Sequence, residues 1–194
     1  MKIIAVSQRI DQFKERNEIR DSLDQRLVEF VLACGYLPVV VPNRLGSLLT
    51  QWLINIKPNG IMLSGGNSLG AEPVRDRTEL TLIEYAYKHK LALLGICRGM
   101  QLIAHWSGAE MKKVSGHVST THQVRGEINR YVNSYHEMTI SSCPDGFRIL
   151  ATSNDGEIEA IRSSILNWEG WMWHPERTRN YDALDMRRMQ SIFG

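Results

Sequence analysis

The pentapeptide Gly95-Ile96-Cys97-Arg98-Gly99 leaves this 194-residue chain few folds to choose from. Before it stand four apolar residues, Leu91 to Leu94, which read as a short buried strand; after it, Gln101 to Trp106 resumes helical spacing. Gly-x-Cys-x-Gly at a strand-to-helix junction is the cysteine counterpart of a serine nucleophile elbow. Such a turn is tight enough to require glycine two residues either side of the nucleophile, and it holds the side chain up on strained backbone. The helix that follows turns unpaired N–H groups and the positive end of its dipole toward the sulfur, which favours a nucleophilic cysteine. The alternative is a buried structural cysteine beside two incidental glycines.

An elbow of this kind needs a sheet to stand on, and the chain supplies one. Ile3 to Val6 reads as a first buried strand ended by Ser7-Gln8-Arg9. A charged segment follows, and then Leu23, Leu27, Phe30, Val31 and Cys34 recur at helical spacing up to a C-capping Gly35. Leu37 to Val41 is a second strand, Leu45 to Ile56 a second helix, and Gly60 to Leu63 a third strand running into Ser64-Gly65-Gly66-Asn67. A helix over Arg77 to His89 leads to the elbow. Strand alternating with helix predicts an α/β fold, an open and mostly parallel sheet with helices on both faces. Sites in such sheets lie at the carboxyl ends of strands, where Ser7 to Arg9, Ser64 to Asn67 and Cys97 all fall. Beyond the elbow helix, Met111 to Ile140 and Phe147 to Ile161 read as short alternating strands, a small antiparallel meander. Trp171-Met172-Trp173 reads as a last strand and Tyr181 to Phe193 as a closing helix. No repeat or linker interrupts the chain, so residues 1–194 are expected to form a single domain.

Composition excludes several functions. With 43% hydrophobic and 23% charged residues the chain has the balance of a globular domain, and a net charge of +2 without a basic run does not point to nucleic acid. Three widely spaced cysteines, Cys34, Cys97 and Cys143, fit free thiols in a reducing compartment better than a disulfide framework or a zinc site. The amino terminus lacks the apolar core of a signal peptide and no run reaches membrane-spanning length, so a cytoplasmic location is expected.

A cysteine nucleophile needs a base, and the base commonly an orienting carboxylate. Among six histidines, His174 stands out because it follows an apolar strand at once, as Cys97 does, with Pro175 fixing the backbone and Glu176 two residues on. A solvated His-Pro-Glu turn is the plainer reading of that tripeptide by itself. His117 and His122 make a weak metal pair, since no acidic or cysteine ligand accompanies them at suitable spacing. Trp168, Trp171 and Trp173 read as core, and Arg162, Arg177, Arg179, Arg187 and Arg188 as solvated surface.

Taken in order, Leu63-Ser64-Gly65-Gly66, Gly95 to Gln101 and Trp173-His174-Pro175-Glu176 resemble the class I glutamine amidotransferase-like family. Arg75-Asp76 with Glu79, Asn133 to His136 and Asp155 to Ala160 resemble its γ-glutamyl hydrolase branch, which includes hydrolases of γ-glutamyl-γ-aminobutyrate and of γ-glutamyl-CDP-amidate. The resemblance implies a Cys97-His174-Glu176 triad and an oxyanion hole from the N–H groups of Gly66 (less surely Gly65) and Arg98. It implies further that Gln101, and Ser134, Tyr135 and His136, bind the substrate. Asn67 and Ala104 depart from the usual family residues, asparagine being frequent at the latter position.

What this resemblance implies is a hydrolase of γ-glutamyl amide-type bonds that proceeds through a thioester, with no metal and no organic cofactor. The substrate is a small γ-glutamyl molecule, with γ-glutamyl-CDP-amidate of capsular polysaccharide modification as leading candidate. No nucleic-acid or membrane partner is expected, and a monomer or homodimer is. Arg9, Arg75, Arg77 and the segment Ser119 to Arg125 supply basic and hydroxyl groups to hold an anionic leaving group, Arg9 and Arg125 foremost; the alternative is that they are ordinary surface charges, with Arg75 paired to Asp76. Three other functions fit the same motifs less well. They are a glutaminase subunit passing ammonia to a synthetase, a non-catalytic binding protein on this fold, and a cysteine hydrolase with acid and histidine on separate loops.

Overall fold

The computed structural model describes residues 1–194. Five parallel strands lie side by side in the order β4 (Leu37–Val40), β1 (Ile3–Val6), β5 (Gly60–Leu63), β6 (Ala92–Ile96) and β13 (Trp168–Trp171). The same sheet continues antiparallel through β12 (Ile158–Ser163), β11 (Phe147–Ser153), β8 (Val118–Gly126) and β9 (Arg130–Tyr135), giving nine strands in all. The fold is therefore α/β with a mostly parallel core, and the antiparallel part is a direct extension of the parallel sheet. It is not a sequential meander, because β8 pairs with β11 while β7 (Met111–Lys113) and β10 (Met138–Ile140) leave to form a two-stranded sheet of their own.

Strands buried on both faces should read as unbroken apolar runs, and the central ones do. Alternate residues of each face opposite cores. Ile4, Val6, Met62, Leu94, Ile96 and Trp171 meet helices α1 (Gln25–Ala33) and α5 (Ala183–Phe193). Ala5, Ile61, Leu63, Leu93 and Trp168 meet α2 (Leu49–Ile56) and α3 (Pro73–His89). Helix α4 (Arg98–Trp106) follows the elbow. Trp168, Trp171 and Trp173 are buried, as their sequence setting implies. No helix is long and apolar enough to cross a membrane.

Four local expectations are corrected. The charged segment after β1 is a hairpin, β2 (Arg9–Phe13) against β3 (Glu18–Ser22), turned by a short 3-10 stretch and by Asn17 at φ 49°. Leu45 to Ile56 is not one helix, because a 3-10 turn over Gly46–Leu48 precedes α2. Helix α3 starts at Pro73, four residues before the apolar spacing predicts, since its first buried residues, Arg75, Thr78 and Glu79, are polar. The last strand ends at Trp171.

Candidate active site

The register between β6 and β13 sets the site. Gly170 lies beside Gly95 and Trp171 beside Ile96, and the Cys97 N–H donates to the Trp171 carbonyl at 2.7 Å. Cys97 and His174 thus leave the sheet at the carboxyl ends of neighbouring parallel strands. Cys97 sits at φ 51°, ψ −107°, a backbone conformation that costs about 1–3 kcal/mol outside glycine and persists only where its surroundings enforce it. They do so by close approach. A methyl on Gly95 would stand 2.6 Å from the Met100 nitrogen, and one on Gly99 would stand 2.8 Å from the Leu63 Cβ. The sulfur-bearing residue caps the N-terminus of α4, whose first turn closes with the Gln101 N–H on the Cys97 carbonyl at 3.1 Å.

His174 and Glu176 form a buried pair. His174 Nδ1 is 2.7 Å from Glu176 Oε1, the two residues being held in one turn by the 3-10 stretch Pro175–Arg177. Asn133 on β9 brackets the histidine backbone, accepting from its N–H at 2.9 Å and donating to its carbonyl at 2.7 Å. Burial disfavours charge on the ring, but the neighbouring Cys97 sulfur and Glu176 carboxylate outweigh it and raise the His174 pKa to about 9. Gly65 packs against this ring: a methyl there would lie 2.6 Å from His174 Cε1.

Behind the glycine pair lies a largely buried charge network. Arg75 is wholly buried, correcting its expected place at the pocket mouth, and its partner is Glu79 (3.0 Å), not Asp76. Its guanidinium also donates to the carbonyls of Ser64 (2.8 Å) and Gly65 (2.9 Å) and to Asn67 Oδ1 (3.1 Å). The planar fork thereby clamps the chain on both sides of Gly65. Arg98, whose N–H the family resemblance puts in the oxyanion hole, sends its side chain inward to Glu79 and Asp76. Burial lowers the pKa of Arg75 to about 10 and of Arg98 to about 9, so both still carry charge at neutral pH, matching the two carboxylates. Ser7 completes the network, donating to Glu79 at 2.6 Å and accepting from the Ser64 N–H at 2.9 Å. Asn67, the departure from the family residue, ties the glycine loop to Ile10 of the β2–β3 hairpin through both backbone groups.

A cavity of about 330 Å³ opens over Cys97, lined by Arg9, Gly66, Asn67, Arg98, Gln101, Tyr135, His136 and His174 among others. Gln101 is fixed there by a 2.8 Å hydrogen bond to the Met138 carbonyl. Two expected substrate residues are not among its walls. The Ser134 hydroxyl turns away to the His117 carbonyl at 2.7 Å, and Arg125 is an exposed residue of β8 that contacts Gln123. Arg77 lies over another cavity, beside Asn43 and Arg44. The cation that does reach the mouth with Arg9 is Arg177, expected as solvated surface; its guanidinium stacks 4.4 Å over the Tyr135 ring. Arg162 and Arg188 are likewise engaged, both pairing with the buried Glu169.

The histidines of the β8–β9 region also differ from expectation. His117 and His122 do have an acidic companion, Glu159 of β12, at 3.2 Å from each, and His136 lies 3.4 Å from the same oxygen. Nothing in the spacing of the sequence announces it, because the four residues meet only when β8, β9 and β12 are placed in space. On its outer side His117 meets Asp155 at 2.9 Å, and that contact with a second one from Ser153 holds the Asp155 carboxyl down at about 2.

Residues 17–188 match the model of the family described as glutamine amidotransferase class-I. The chain is 34% identical over 133 residues to the γ-glutamyl-CDP-amidate hydrolase of Campylobacter jejuni, an alignment spanning 65% of this chain and 66% of that protein. It is 26% identical over 211 residues to the γ-glutamyl-γ-aminobutyrate hydrolase of Escherichia coli, covering 84% and 82%. A solved glutamine amidotransferase from Thermotoga maritima superposes with a TM-score of 0.69 at 17% identity, over 99% of this chain and 82% of that one. An elbow cysteine and a carboxylate-paired histidine on neighbouring strand ends, with a family match over nearly the whole length, identify this chain as a member of the class-I glutamine amidotransferase family.

Proposed function

We propose that this protein hydrolyses a γ-glutamyl amide-type bond with Cys97 as nucleophile. The observation that carries the reading is the His174–Glu176 pair at 2.7 Å, set beside a cysteine on strained backbone across one strand register. The Cys97 sulfur adds to the δ-carbonyl of the γ-glutamyl group, and the oxyanion lies against the N–H groups of Gly66 and Arg98. Each such donor contributes about 3 kcal/mol in comparable sites. His174, charged and steadied by Glu176, gives its proton to the departing nitrogen as the C–N bond breaks, leaving a thioester. Water then attacks the thioester carbon while His174 accepts its proton. The C–S bond breaks, glutamate is released, and the Cys97 sulfur and the proton on His174 are restored.

The leaving group in this reading is anionic, a nucleotide phosphoramidate such as that of γ-glutamyl-CDP-amidate in capsule modification. The Campylobacter relative and the two mouth guanidiniums, Arg9 and Arg177, support it. The test is glutamate release by the isolated protein from a γ-glutamyl phosphoramidate and from a neutral γ-glutamyl anilide. Turnover of both should vanish in Cys97→Ala, and Arg9→Ala with Arg177→Ala should raise KM for the charged substrate alone. Glutamine turnover that appears only when a synthetase is added would replace the hydrolase with a glutaminase subunit. Equal effects of the arginine changes on both substrates would remove the anionic leaving group.

A further inference from the structure

His117 and Glu159 take no part in the reaction proposed above, and His136 enters it only as a wall of the cavity, yet all three are buried and converge. The protons of both rings are accounted for on their outer sides. His136 Nδ1 lies 3.1 Å from the Met138 carbonyl, which can only accept, so this nitrogen carries the hydrogen. His117 Nε2 lies 2.9 Å from the Asp155 carboxylate and carries its hydrogen for the same reason. The inner nitrogens, His117 Nδ1 and His136 Nε2, therefore present lone pairs to one another at 3.3 Å. Both also face Glu159 Oε1, at 3.2 and 3.4 Å. Glu159 is fully buried; its Oε1 faces ring nitrogens of His117, His122 and His136 at 3.2–3.4 Å, and its Oε2 has no hydrogen-bond partner. Three electron-rich atoms facing each other out of water require a cation between them. His122 Nε2–H or an extra ring proton can serve Glu159 Oε1, but no ring nitrogen reaches Oε2, which a proton alone would leave buried without a donor.

We propose that these residues bind a divalent transition-metal ion of the zinc type through His117 Nδ1, His136 Nε2 and Glu159, with His122 Nε2 the nearest further donor. The triangle of ligand atoms has edges of 3.2, 3.3 and 3.4 Å. Ligands about 2.0–2.1 Å from a tetrahedral ion are separated by about 3.3–3.4 Å, so the triangle already has the size of one tetrahedral face. The outer shell fits as well. Asp155 and the Met138 carbonyl accept from the far nitrogens, fixing tautomer and ring orientation as partners of metal-bound histidines do. Charge balances too, since a dication meets two neutral rings, Glu159 and Asp155.

The ion is a positioning element and not a catalytic one. The Met138 carbonyl that holds His136 also holds Gln101, so the ion would stiffen the cavity wall from Tyr135 to Met138. Its binding can be measured whether or not the hydrolase reading survives. The full chain is stripped with a chelator, checked for fold by circular dichroism, and titrated with zinc against a chromophoric competitor. Wild type should take up a single zinc per chain and gain thermal stability from it. His117→Gln and Glu159→Gln should bind at least about 100-fold more weakly, and Asp155→Asn about 10–100-fold more weakly. His105, an exposed residue in the last turn of α4, is the control, and His105→Gln should bind as wild type does. Where turnover is measurable, stripping should raise KM more than it lowers kcat. A folded, stripped wild type that takes up no zinc overturns the proposal without recourse to any variant. Uptake that survives His117→Gln and Glu159→Gln but is lost in Cys97→Ala also overturns it, because the ion would then sit on the nucleophile.

Discussion

Glu79 is the residue on which the charge network under the glycine pair turns. Its carboxylate receives Arg75 through Nε (3.1 Å) and Nη2 (3.0 Å), Ser7 through Oγ (2.6 Å), and the guanidinium of Arg98. Glu79→Gln keeps the shape and removes the charge, leaving two buried guanidiniums to share Asp76. Removing one partner from a buried ion pair costs about 3–5 kcal/mol. For a chain of this length each kcal/mol lowers Tm by roughly 2–4 °C, so the expected fall is about 6–20 °C. Arg75→Met should cost less, because Glu79 then still has Arg98. Its effect on turnover should nevertheless be larger at a temperature where both variants are folded, because it frees the carbonyls of Ser64 and Gly65 that aim the glycine loop. Scanning calorimetry and glutamate release on the two variants separate these effects. A Tm fall below about 2 °C for Glu79→Gln, which is surface-like behaviour, would refute the reasoning. So would a ranking in which Arg75→Met is the less stable and the more active of the two.

Two further outcomes follow from the ionisation of the site and of the other thiols. Burial pushes the Cys34 thiol up to about 12 and also raises Cys143, so iodoacetamide at pH 8 should label Cys97 first and activity should fall in step. Peptide mapping checks this, and early labelling of Cys34 or Cys143 with activity retained would contradict it. The folded pKa of His174, about 9, exceeds the ordinary value of 6.5, so its charge adds stability that is complete below pH 6.5 and is lost as pH rises through 9. The Tm of wild type should fall across that window more steeply than that of His174→Asn; parallel curves would count against the Cys97–His174–Glu176 coupling.

Much of this was legible because it is local. Gly95 and Gly99 are spaced for an elbow, and His174 and Glu176 sit in one turn, so short stretches of sequence carry the three residues of the proposed triad. The parallel strands are apolar runs and announce themselves in the same way. The β2–β3 hairpin did not, because it lies on the surface and only Ile10 of its strands is buried; Asn17, a residue that tolerates positive φ, was its one turn signal. Arg75 resembled a surface charge until its i+4 partner Glu79 was seen to face inward with it. Arg177 and the His117–His136–Glu159 cluster depend on how distant strands come together, which no spacing along the chain records. Arg177 had one available sign, its place directly after Glu176, the partner of His174.

The central claim is a γ-glutamyl thioester on Cys97, and trapping it is the most direct measurement. Glu176→Gln weakens His174 in both half-reactions, but a γ-glutamyl p-nitrophenyl ester loses its leaving group without a proton, so only hydrolysis of the thioester is held back and acid quenching during turnover catches the intermediate. Intact mass and peptide analysis should then show a glutamyl adduct confined to the Cys97 peptide and removable by hydroxylamine. Turnover at an undiminished rate in Cys97→Ala, with no adduct on any cysteine of the quenched protein, would contradict the account.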